Sequence, residues 1–191
     1  CSLVETAELM GPWKRGEWKP YTDDELLEVV SDALPRVPRY CRVTRVIRDI
    51  SSDDIVVGNK RTNFRQIAEK EIARRGESLV EIRHREIRGE AFEADALQMV
   101  ETEYSTGGSR EVFLELATQA DRIVGFLRLS LPKEVSFVEE LGQHALVREL
   151  HVYGGSVRLG ADPLGAAQHR GLGARLLERA AVVSTEAGYE T

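Results

Sequence analysis

Arg148-Glu-Leu-His-Val-Tyr-Gly154, followed by Gln168-His-Arg-Gly-Leu-Gly173, decides how the second half of this chain is read. A β-branched and aromatic run ends in glycine, a loop follows, and a Q-x-x-G-x-G turn opens an apolar helix. Glycines there remove side chains where a backbone must approach a phosphate closely. The helix leaves the N–H groups of its first turn without intrahelical partners, and its dipole adds partial positive charge at that end. The turn therefore suits a pyrophosphate. It is not the dinucleotide fingerprint, because Leu176 stands where a third glycine is needed, and the G-K-[ST] of a nucleotide-triphosphate loop is absent. On these residues alone, a glycine-rich helix entry with no ligand stays open.

Outward from this stretch, the spacing predicts an antiparallel meander. Leu97 to Tyr104 and Glu111 to Ala117 read as strands joined by the hairpin signal Ser105-Thr-Gly-Gly-Ser109. Ile123 to Ser130 reads as the next strand, Leu146 to Tyr153 as another, and Leu172 to Ala187 as a helix. Before Arg88-Gly-Glu90 the grammar differs. Thr22-Asp-Asp-Glu25 is a capping box ahead of an apolar helical pattern that Pro35 and Pro38 end. Val43 to Ile47 reads as a strand and Ile55 to Val57 as a shorter one. Asn63 caps a helix closed by Gly76, and Leu79 to Ile87 reads as a strand. Such alternation suggests parallel β/α units. The boundary is placed at residue 90, giving two domains, 1–90 and 91–191.

Composition narrows the classes. With 191 residues, 42% of them hydrophobic, the chain can bury a core as one domain or parts of two. No run is apolar enough for a membrane span and no secretory signal is evident. Two cysteines, Cys1 and Cys41, do not make a disulfide framework, which fits a cytoplasmic protein. Residues 1–90 balance 17 basic against 17 acidic side chains, whereas residues 91–191 carry 9 against 15. Any nucleic-acid contact must therefore use a local patch.

The flanks carry a resemblance. Ala145-Leu-Val-Arg-Glu-Leu-His-Val-Tyr-Gly154 and the Gln168–Gly173 turn resemble the acetyl-coenzyme A cradle of GNAT acyltransferases, in the form found in the catalytic subunits of Elongator, the tRNA wobble-uridine acetyltransferases. Glu111-Val-Phe-Leu-Glu115 and Ile123-Val-Gly-Phe-Leu-Arg-Leu129 fit the same family. So do Lys19-Pro-Tyr-Thr22, Arg45-Val-Ile-Arg-Asp-Ile50 and Asn63-Phe-Arg-Gln66, which belong to its radical-SAM half. The resemblance implies an α/β chain: the C-terminal part of a radical-SAM β/α barrel, then a C-terminally incomplete GNAT acyltransferase α+β domain. It implies acetyl-coenzyme A as cofactor, with S-adenosylmethionine and a 4Fe-4S cluster in the parent protein. The implied reaction joins the acetyl carbon to carbon 5 of the wobble uridine after a 5′-deoxyadenosyl radical has abstracted hydrogen from it. Implied partners are tRNA and other Elongator-type subunits or a second copy.

Departures matter too. The cysteine triplet that holds the cluster is absent, and so is the family's last strand with its tyrosine segment, so the chain is expected to be an internal fragment. Family members also place a C-x-C-x-x-C zinc cluster between the domains. Alignment puts Leu79, Glu81 and His84 at those positions, and no zinc is expected.

The resemblance assigns cofactor binding to Leu150, His151, Val152 and Tyr153 on the strand and to Gln168, His169, Arg170, Gly171, Leu172 and Gly173 at the turn. No catalytic residue is assigned: His151 suits a general base by its titration range and equally well a hydrogen-bonded wall. Glu149 and His151 should share one strand face, with Leu150 and Val152 on the other. Arg42, Arg45, Arg48, Lys60, Arg61 and Arg65 form a candidate RNA patch, with ordinary surface charge as the alternative. The rival functions are a stand-alone GNAT N-acetyltransferase and a non-catalytic tRNA-binding module.

Overall fold

The computed structural model describes residues 2–47, 50–133, 144–153 and 171–189. They form two compact units, one up to His84 and one from Arg85 onward.

In the first unit a two-residue strand β1 (Leu3–Val4) pairs antiparallel with β2 (Ile55–Val57). A short helix α1 (Met10–Lys14) precedes α2 (Asp23–Ala33). The predicted capping box is present: the Thr22 hydroxyl accepts from the Glu25 N–H, and the Glu25 carboxylate accepts from the Thr22 N–H at 2.7 Å. Helix α3 (Phe64–Arg74) follows Asn63, whose side chain makes no cap, and Gly76 closes it in the left-handed region. Its buried stripe, Ala68 and Ile72, packs with Leu34 and Leu79 in a small core. A one-turn helix α4 (Ile82–Arg85) comes last.

Two expected strands are absent here. Val43 to Ile47 is irregular, and α4 replaces the middle of Leu79 to Ile87. The reason is side-chain capture of backbone groups. The Glu81 carboxylate accepts from the N–H groups of Val43, Arg83 and His84, and Arg65 donates to the Val43 carbonyl. Arg83 donates to the Thr44 carbonyl. Those groups no longer need a ladder. The parallel β/α alternation expected for this half does not occur among the described residues, where β1–β2 is the ladder and it is antiparallel.

The second unit is a four-stranded antiparallel sheet in the order β3-β4-β5-β6, with α5 against one face. The strands are β3 (Gln98–Ser105), β4 (Ser109–Ala117), β5 (Ile123–Pro132) and β6 (Leu146–Val152), and α5 spans Leu172–Glu186. Hairpin, meander and helix lie where the spacing predicts. Val112, Leu114 and Leu116 of β4, with Leu127, Leu129 and Leu131 of β5, meet Leu172, Leu176, Ala180 and Val183 of α5 in one core. These helix residues recur every three or four positions, so one stripe of α5 is buried. Each such leucine contributes roughly 1.5–3 kcal/mol by burial.

The opposite face of β4 and β5 is also buried, but polar groups interrupt it. Phe113 and Phe126 lie 5.3 Å apart, and the Arg128 guanidinium sits over both rings. Beside them lie two buried carboxylates, Glu111 and Glu115. The chain is thus an α/β protein. Among the described residues no helix is long and apolar enough to cross a membrane.

Candidate functional site

The strand singled out by sequence and the described end of the turn, Gly171 to Gly173, meet at one end of the second unit. Gly171 takes φ 97°, a left-handed conformation that glycine adopts freely, and from it α5 starts with no side-chain cap. A side chain at Gly173 would find open space apart from the Leu150 methyl 3.7 Å away. The N-terminal turn of α5 therefore faces β6 at Leu150, a residue 40% exposed. Leu150 and Val152 point to the α5 side, while Glu149 and His151 share the other face. There Glu149 accepts from Arg128 at 2.8 Å and the His151 ring stacks on Phe126.

One contact that sequence reading missed makes this convergence possible. A side chain at Gly125 of β5 would lie 3.1 Å from the His151 carbonyl oxygen and 3.5 Å from Leu176. Glycine there lets β5, β6 and α5 close together. A glycine inside a strand pattern signals close backbone approach, and that signal was available.

The end of β6 is fixed by three contacts. The Tyr153 N–H donates to the Val124 carbonyl at 2.7 Å. Its phenol donates to the Glu86 carboxylate at 3.2 Å, and its ring meets His151 edge-on at 4.4 Å. Glu86 is itself held, bridging Ile123 in parallel sense and accepting at its carbonyl from Arg122. Glu86 was not singled out by sequence, since a partner 67 residues away leaves no local trace. Gln168, His169 and Arg170 lie outside the described residues. Arg175, one turn into α5, donates to the carbonyls of Ala94 and Leu97.

The structure distinguishes among the candidate RNA-contacting residues. Arg42, Arg45, Lys60 and Arg61 are exposed, and Arg61 pairs with Asp23 at 3.1 Å. Arg65 has only 15% of its side chain exposed and is bound to Glu69, Glu81 and the Val43 carbonyl. Arg48 lies outside the described residues. Lys60 and Arg61 also line a cavity of about 520 Å³ whose apolar wall includes Leu3, Tyr21, Leu26 and Ile55.

Burial pushes the Glu111 carboxyl upward. Hydrogen bonds from Ser109, Ser130 and Arg148 outweigh that and hold it below the ordinary carboxylate value. Glu81 follows the same pattern, with burial opposed by the Val43 N–H and Arg65.

Residues 1–74 match the radical-SAM C-terminal domain family. A tRNA uridine(34) acetyltransferase of Methanocaldococcus jannaschii is 34% identical over 97% of this chain and 36% of its own length. Elongator complex protein 3 of Dictyostelium discoideum is 32% identical over 91% of this chain and 32% of its own length. The chain is similar to both. It spans about a third of the length of those relatives. A solved structure, archaeal Methanocaldococcus infernus Elp3 lacking its N-terminal residues 1–46, superposes with a TM-score of 0.85 at 32% identity. That match covers 100% of this chain and 47% of the solved one.

The residues present do not match the donor sets of the two metal centres that the resemblance implies. An iron–sulfur cluster needs three thiolates, and this chain has two cysteines in all. A thiolate zinc site at Leu79, Glu81 and His84 fits no better. Leu79 is a core residue, the Glu81 carboxylate is surrounded by donors, and His84 is a half-exposed imidazole 3.8 Å from Glu69.

Proposed function

We propose that this chain carries the acetyl-coenzyme A cradle and part of the RNA-contacting surface of an Elongator-type tRNA uridine(34) acetyltransferase. The observation that carries the reading is the meeting of Leu150 on β6 with the uncapped, glycine-opened N-terminus of α5. In this reading the N–H groups of Gly171, Leu172 and Gly173 receive the pyrophosphate, with Gln168, His169 and Arg170 lining the loop. The backbone of Leu150, His151 and Val152 lies along the pantetheine arm, and Tyr153, held by Glu86, closes the thiol end. The exposed Leu150 side chain gives the arm an apolar wall.

The second unit is, on this account, a GNAT-type α+β domain, and the first is the late part of a radical-SAM barrel. Bound acetyl-coenzyme A supplies the acetyl group that the whole protein joins to carbon 5 of the wobble uridine. The parent protein also uses S-adenosylmethionine and a 4Fe-4S cluster, with the cluster ligands outside this chain. Arg42, Arg45, Lys60 and Arg61, with Arg48, neutralise tRNA phosphates, while Arg65 supports the patch from within. A cytoplasmic enzyme working with further subunits or as a homodimer is part of the same reading.

The test is calorimetric titration of the chain with a non-hydrolysable acetyl-coenzyme A analogue, beside a Gly173→Glu variant. A Cβ at Gly173 meets nothing nearer than the Leu150 methyl at 3.7 Å, so the substitution makes no backbone clash, and dichroism checks that the variant folds. Its carboxylate should weaken binding by roughly tenfold or more through repulsion of the pyrophosphate. Equal binding by both proteins would place the cofactor elsewhere. No binding by either folded protein would favour a tRNA-binding module.

A further inference from the structure

Zinc is implied between the domains by family resemblance, and the residues at Leu79, Glu81 and His84 do not suit it. We propose that a buried Glu81–Arg65 pair does the metal's structural work in this protein, making the first unit independent of zinc. A structural zinc ion ties separate segments to one centre through four bonds. The Glu81 carboxylate, fully buried, is likewise a four-connected centre. It accepts from the Val43 N–H at 3.0 Å, the Arg83 N–H at 3.0 Å, the His84 N–H at 2.8 Å and the Arg65 guanidinium. A carboxylate has about four lone-pair sites, so these donors fill it.

The centre draws three segments together. Arg65 lies on α3 and also donates to the Val43 carbonyl at 2.9 Å and to Glu69 at 2.8 Å. Arg83 and His84 are the second and third residues of α4, so Glu81 also caps that helix. Two further bonds reinforce the link to the loop, from the Ile82 N–H to the Cys41 carbonyl at 2.9 Å and from Arg83 to the Thr44 carbonyl. A cation at Glu81 would meet the Arg65 guanidinium at contact distance and find no free lone pair. Leu79, where the first thiolate would stand, instead packs against Leu34, Ala68 and Ile72. One thiolate position has thus become core, one a hydrogen-bonded anion and one a surface imidazole. Carboxylate and guanidinium also lack the oxidation chemistry of a thiolate cluster.

The experiment uses the whole chain. Metal content is measured after purification, and thermal melting is followed with a strong chelator, with added zinc, and in Glu81→Gln, Arg65→Gln and the double variant. The proposal expects no stoichiometric zinc and a melting midpoint unmoved by chelator or zinc. Glu81→Gln should lower the midpoint by roughly 10 °C, and the double variant should fall well short of the summed single losses. Arg65→Lys, which keeps the charge and loses the fork, gives a milder probe if Glu81→Gln does not fold, and should still melt several degrees lower. One zinc per chain, a midpoint lowered by chelator, or additive losses in the double variant would each overturn the proposal.

Discussion

Glu111 lies in an apolar strand with its side chain 2% exposed, yet it is ionised there because three donors converge on it. Its carboxyl is held below the ordinary value, so the folded state gains stability above the unfolded pKa of about 4.3. That gain disappears as pH falls through the lower folded value. Glu111→Gln should therefore melt below the parent at neutral pH, and the gap should close on acidification through the carboxylate range. Melting curves at stepped pH check this, and a gap unchanged down to low pH would mean another group sets the dependence. Arg85 makes a bidentate pair with the fully buried Glu115, at 2.9 and 2.8 Å. Arg85→Met removes the fork and leaves that carboxylate in a poorly solvated place, at a cost of about 3–5 kcal/mol in urea unfolding. Replacing both residues with apolar ones of similar size should restore most of the loss, which would show that the cost lies in the stranded charge.

At the scale of the element, local grammar and long-range capture divide the chain. The Thr22–Glu25 box forms as read, and Thr22→Ala should lower stability by about 1 kcal/mol, seen as a shifted denaturation midpoint with unchanged slope. The β3–β4 hairpin, the meander into β5 and the amphipathic α5 were legible for the same reason: periodicity and turn residues act over a few positions. Val43 to Ile47 has equally strand-like residues and forms no strand. Its deciding partner is Glu81, 38 residues on, and no local pattern encodes that distance. The candidate site divides likewise. Leu150, Gly171 and Gly173 were visible as strand and turn, whereas Glu86 became apparent only when its contact with Tyr153 was seen. Gly125 shows how tightly the elements meet. Gly125→Ala would press a methyl to 3.1 Å from the His151 carbonyl, so β6 must shift by a few tenths of an ångström. The variant should bind the acetyl-coenzyme A analogue less tightly in calorimetry while its far-ultraviolet dichroism matches the parent. Undiminished affinity would mean that the β6 backbone takes no part in holding the arm.

Charge is distributed unevenly over the whole molecule, and its two proposed ligands are both polyanions. Residues 1–90 are balanced, with 17 basic and 17 acidic side chains, whereas residues 91–191 have 9 against 15. The proposed coenzyme A cradle lies in the acidic half. Binding there must rely on backbone N–H groups and the α5 dipole at short range, against a repulsive field at long range. Salt screens that field, whose range is about 10 Å at 0.1 M, more than it screens the direct contacts. The proposed tRNA patch is the opposite case, because Arg42, Arg45, Lys60 and Arg61 would act there by displacing counterions from phosphates. The two affinities should consequently respond differently to ionic strength. From about 50 to 200 mM salt, tRNA binding should weaken roughly tenfold or more if about three phosphates are neutralised. Over the same range, affinity for the acetyl-coenzyme A analogue should hold steady or rise slightly. Parallel titrations separate the cases, and Lys60→Ala with Arg61→Ala should flatten the tRNA slope without altering the cofactor's. If both ligands weakened in step, side-chain cations would be holding the coenzyme, and Arg170 would become the residue to examine in place of the glycine turn.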